Sequence, residues 1–127
     1  MIRRLALIQV VAGTLMLASS SHAQWFGQAV VDHTYVDYAN QITFIDPGNV
    51  APAAGYVEEW KLWAKDPGAV TLQVWRPVSF DYMLVGQNEV YVGTTGSVSI
   101  PITPGNRIAI QVGDVLGFRY EGSYEPQ

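Results

Sequence analysis

From residue 24 onward, no window has apolar residues recurring at i, i+3, i+4 and i+7 over three turns. Apolar and polar positions instead alternate one by one between breaks rich in Gly and Pro. A period of two is the pattern of a strand with one face buried, so the chain is expected to be all-β. Strands are predicted near residues 35–38, 42–45, 57–64, 69–75, 82–85, 89–92, 98–102, 107–112 and 115–120. One sheet carrying this much apolar surface would leave a greasy face in water. Eight or nine short strands therefore predict a two-sheet antiparallel sandwich, with a jelly roll as the expected topology.

The clearest local pattern flanks Asp66-Pro67-Gly68. On the preceding strand Tyr56, Trp60, Leu62 and Ala64 share a face that Glu58 interrupts, with Glu59, Lys61 and Lys65 opposite. On the following strand Val70, Leu72 and Val74 share a face, with Thr71 and Gln73 behind. A three-residue hairpin loop with Gly68 left-handed would set Ala64 against Val70, Leu62 against Leu72 and Trp60 against Val74. The alternative is a connection that crosses between the sheets. The two prolines and two glycines from Asp46 to Gly55 predict a surface loop, and Thr103-Pro104-Gly105-Asn106 and Gly113-Asp114 predict turns.

Residues 1–23 follow a different pattern. Arg3 and Arg4 precede an apolar run over residues 5–18, and Ser21-His22-Ala23 has the small-x-small form of a cleavage site. The run is interrupted by Gln9, Gly13 and Thr14 and is short for a span of roughly 20 residues, so it reads as a secretory signal peptide and not an anchor. Cleavage would expose Gln24 and leave residues 24–127 as a single secreted, extracellular domain without a membrane span.

There is no cysteine. An exported domain of this size must then close on apolar packing without disulfide staples. Four Trp, seven Tyr and four Phe supply the means. The formal net charge of −4 becomes more negative once Arg3 and Arg4 are lost. The remaining Lys61, Lys65, Arg76, Arg107 and Arg119 are scattered among carboxylates, which argues against nucleic acid and against an anionic membrane surface as partners.

Candidate chemistry is sparse. Trp63 and Trp75 fall on the polar side of the proposed hairpin with Gln73 close by, and this trio is the expected ligand-binding site. A flat indole stacks on the C–H face of a sugar ring, while a neighbouring amide takes a hydroxyl. The competing reading is that a sheet or loop covers both indoles. Catalytic residues are not expected: His33 is the only histidine after the leader, Glu58 and Glu59 point to opposite faces of a strand, and no nucleophile elbow, zinc motif or phosphate loop is present. No cofactor is expected. Calcium is the most plausible metal, through Asp46 and Asp114 in their Gly-containing loops, although Asp in such settings usually serves turn geometry.

Three runs carry a resemblance: Val70-Thr71-Leu72-Gln73-Val74-Trp75-Arg76-Pro77-Val78, then Tyr82-Met83-Leu84-Val85-Gly86, and Ile110-Gln111-Val112-Gly113-Asp114-Val115-Leu116-Gly117-Phe118. In order and spacing they resemble a β-sandwich module of uncharacterised secreted and cell-surface animal proteins. The likeness spans roughly residues 44–120. It implies the sandwich fold and a closing strand beyond Tyr120 that the short polar tail does not supply, and it brings no catalytic residue. Physically, Arg76 before Pro77 marks a strand end or edge, with its stem along Trp75 and its head on a carboxylate. Gly117 leaves room for a bulky neighbour such as a tryptophan.

The expected function is a non-enzymatic recognition or adhesion module that binds a glycan or another extracellular protein. The alternatives are an accessory domain or fragment of an exported hydrolase, which clustered carboxylates in a cleft would favour, and a structural matrix component, which open edge strands would favour.

Overall fold

The structure, a computed structural model, describes residues 7–15, 23–30 and 42–120. Nine strands occur in them: β1 (Leu7–Leu15), β2 (Ala23–Gly27), β3 (Thr43–Val50), β4 (Gly55–Ala64), β5 (Gly68–Val78), β6 (Asp81–Val92), β7 (Gly96–Pro101), β8 (Ile108–Ile110) and β9 (Val115–Arg119). The one helical element among the described residues is a 3-10 turn at Pro104–Asn106. No helix among them is long and apolar enough to cross a membrane.

The strands form two antiparallel sheets. The five-stranded sheet runs β2-β1-β4-β7, and β8 also pairs with β4; the four-stranded sheet runs β3-β9-β5-β6. β7 and β8 lie end to end along the edge of β4 away from β1, pairing with Glu59–Ala64 and Gly55–Val57 respectively. Side chains of both sheets meet in one core. Val57, Trp60 and Leu62 enter from the first, and Leu72, Val74, Val92 and Leu116 from the second, all of them fully or almost fully buried. This is the all-β sandwich that the alternation predicts.

The connection at Asp66-Pro67-Gly68 is corrected by the structure. It does not close a hairpin: β4 belongs to one sheet, and β5 pairs with β6 and β9 in the other. Leu62 and Leu72 are nevertheless both buried. Facing each other across the sandwich covers these apolar faces as well as lying side by side would. Alternation fixes which face of a strand turns inward and leaves its neighbour open.

Two further boundaries differ from expectation. The strands near 82–85 and 89–92 are one strand, β6, with a bulge where the pairing steps from Val74↔Gly86 to Trp75↔Leu84. A Cβ on Gly86 would lie 2.9 Å from the Ile108 side chain, so this glycine lets β6 approach β8. The expected loop after Asp46 is partly strand. β3 continues to Val50, while its register with β9 jumps from Asp46↔Leu116 to Val50↔Val115. The Asp46 carboxylate holds the intervening bulge by accepting hydrogen bonds from the Gly48 N–H (3.1 Å) and Asn49 Nδ2 (2.9 Å).

The residues read as the apolar run of a leader form β1 over Leu7–Leu15, hydrogen-bonded to β2 on one edge and to β4 on the other. Val10-Val11 and Thr14 are β-branched residues that suit a pleated strand. The strand expected near 35–38 and His33 lie outside the described residues.

Candidate functional site

The expected ligand trio is divided between the sheets. Trp63 lies half-buried on β4, paired with Ser97 of β7 on the outer face of the five-stranded sheet. Trp75 and Gln73 share β5. The Trp75 Nε1–H donates to Gln73 Oε1 (3.2 Å), and Gln73 Nε2 donates to Gln87 Oε1 (3.1 Å). A Cβ on Gly117 would stand 2.8 Å from the Trp75 indole, so that glycine provides the seat on which Trp75 lies. Gln73 and Trp75 thus meet, with Gln73 itself buried, while Trp63 stands apart from them. On its own face Trp63 shares the outer surface with Lys61, whose Nζ lies 4.3 Å over the ring of exposed Trp25.

Beside Trp75, the Arg76 guanidinium grips Asp114. Nε donates to Oδ1 at 2.8 Å and an Nη to Oδ2 at 2.9 Å. The same Oδ2 accepts the Gln111 N–H at 2.8 Å. Gly113, with φ of 91°, makes the turn that aims Asp114 inward. The hydrogen bond to Asp114 raises the Arg76 pKa above its ordinary value despite the opposing desolvation. Asp114, one of the two calcium candidates, therefore already has its carboxylate engaged. Asp46, the other, is engaged in its own bulge.

Between the edges of β6 and β8 lies an open cleft of about 640 Å³, with Arg76, Gln87, Asn88, Arg107 and Gln111 among its lining side chains. Asn88 and Asn106 in its lining belong to a polar bridge through the sandwich. The Trp60 Nε1–H donates to Asn88 Oδ1 (2.9 Å), and Asn88 Nδ2 donates to the Asn106 carbonyl (2.8 Å). The lining contains no carboxylate and no histidine. It offers hydrogen-bond donors and amides.

One apolar display among the described residues was not anticipated from the sequence. β5 and β6 are joined by a two-residue turn, Ser79-Phe80, with Ser79 at φ of 54°. Around it Val78, Phe80, Tyr82, Met83 and Leu84 are all exposed, Phe80 completely so at 104 %. β6 is the outermost strand of its sheet and pairs only with β5 among the described strands. The sequence did carry a signal: Tyr82-Met83-Leu84 are consecutive, so at least one large apolar side chain must leave the core face. Compared with family models, curated proteins and solved structures, the chain matches none of them.

Proposed function

We propose that this protein is an exported, non-catalytic recognition module that docks another extracellular protein through the β5–β6 hairpin and the free edge of β6. The observation that carries this reading is the cluster of exposed apolar side chains, Val78, Phe80, Tyr82, Met83 and Leu84, on one hairpin. Exposed apolar side chains at an edge strand fit strand addition. An incoming segment would pair with the β6 edge that no described strand occupies, and its side chains would cover the apolar side chains on one face. Phe80 at the tip supplies a large anchor, the kind of residue that dominates interface energetics.

The test is an interaction screen of the purified protein against a library of secreted ectodomains, with Phe80→Asp and Leu84→Lys in parallel. A partner retained by wild type and lost by both variants supports the reading. If every partner found binds the hairpin variants undiminished, docking through this hairpin is overturned.

Glycan binding is the second reading, favoured by Trp63, Lys61 and Trp25 on one outer face with Ser97 and Ser99 beside them. On a glycan array Trp63→Ala would abolish signal while Trp75→Ala, a residue tied to Gln73 and Gly117, would reduce it little. No signal from the wild type would remove this reading.

A further inference from the structure

We infer that loss of residues 1–23 turns the chain into a symmetric dimer, in which β4 of a second copy takes the edge of β4 that β1 occupies. The inference rests on the reading of these residues as an export leader. β1 pairs with β4 from Ala64 back to Tyr56, nearly its whole length, so a chain beginning at Gln24 presents that edge bare. The opposite edge is already filled by β7 and β8. A long central strand with one open edge is a template for pairing with another chain.

The sequence of β4 is complementary to itself when run antiparallel. Glu58 is an extra residue in the ladder, because Gly13 pairs with Glu59 and Thr14 with Val57. With that bulge skipped and Trp60 set opposite Trp60 of the partner copy, Glu59 faces Lys61 on one rung and Lys61 faces Glu59 on its symmetry mate. Leu62 then faces Val57, both from the buried side, and Trp63 faces Tyr56, both from the outer side. Every rung pairs like with like except the charges, which pair as opposites. Sliding by two residues sets Lys61 against Lys61 or Glu59 against Glu59, so charge selects the register. The same patch meeting itself closes as a two-fold dimer and cannot propagate, which distinguishes it from open-ended edge aggregation. Lys61 Nζ lies 4.3 Å over the Trp25 ring, and among the described strands β2 pairs only with β1, while Phe26 packs in the core.

The full-length chain is expressed twice, once through a secretory pathway and once in a cytoplasm, and each product is analysed by intact mass and sedimentation velocity. The exported product is expected to begin at Gln24 and sediment as a dimer. The cytoplasmic product, which retains residues 1–23, is expected to be a monomer. In the exported form Lys61→Glu should weaken the dimer on the order of tenfold, because it places like charges on two symmetric rungs. Glu59→Lys combined with Lys61→Glu should restore it, with circular dichroism reporting folding of each variant. A processed chain that stays monomeric, for example because its own residues 24–30 fill the edge, overturns the dimer but not the leader. A dimer indifferent to both changes also overturns it. An exported product that keeps residues 1–23 overturns the leader and the dimer together.

Discussion

Arg76 and Asp114, 38 residues apart in sequence, are joined by two parallel charge-assisted hydrogen bonds of 2.8 and 2.9 Å that tie the end of β5 to the turn before β9. The Asp114 side chain is 1 % exposed and that of Arg76 27 %, so the acid carries most of the burial. Replacing the acid leaves a cation that can still reach water, whereas replacing the base leaves a buried anion with the Gln111 N–H as its remaining partner. Asp114→Ala should therefore cost about 2 kcal/mol and Arg76→Met about 3 kcal/mol, read as lowered midpoints in urea unfolding. Arg76→Lys should recover little, because an ammonium cannot reproduce the two-pronged geometry.

Gly117→Ala tests the seat of Trp75. The added methyl would meet the Phe44 carbonyl oxygen at 2.7 Å and the indole at 2.8 Å, and backbone cannot yield as a flexible side chain can. The expected loss is about 1–3 kcal/mol, accompanied by a change in tryptophan fluorescence as Trp75 is displaced from Gln73.

The bridge from Trp60 through Asn88 to the Asn106 carbonyl is a polar link through the core. Asn88→Ala strands a buried indole N–H and should cost about 1–3 kcal/mol. In a double-mutant cycle with Trp60→Phe the two losses should fall short of additivity, by about 0.5 kcal/mol or more. Additive losses would mean that the two side chains contribute independently.

Phe80→Ser removes a fully exposed side chain, and Leu84→Ser one that is 41 % exposed. Unfolding free energies should stay within about 0.5 kcal/mol of the wild type. Binding of an apolar fluorescent dye should fall in both variants. A large loss of stability would place these side chains in the core instead of at an interface.

Much of the architecture is legible in the residues. Alternation in Trp60-Lys61-Leu62-Trp63-Ala64 and Val70-Thr71-Leu72 fixes the inward faces of β4 and β5, and Trp60, Leu62, Ala64, Val70 and Leu72 are buried as it requires. The Arg76 clamp and the Gly117 seat are legible too, since an arginine before proline and a glycine among bulky strand residues each have few physical uses. Strand neighbours are not legible, because Leu62 loses the same water facing Leu72 across the core as it would beside it. That ambiguity separated Trp63 from Trp75 and dissolved the shared platform. Asn88 was missed because Gly86-Gln87-Asn88 falls between two predicted strands, and a buried amide becomes recognisable only once Trp60 is seen to point at it.

The chain passes from one layer to the other between β2 and β3, β3 and β4, β4 and β5, β6 and β7, and β8 and β9. Neither layer can be finished from one contiguous length of polypeptide, since each waits for strands made early and late. Apart from the β5–β6 and β1–β2 pairs, ladders form between segments distant along the sequence, which makes assembly slow and strongly cooperative. A nick or deletion between β3 and β9 would thus disturb both layers at once, leaving no half of that stretch that stands alone.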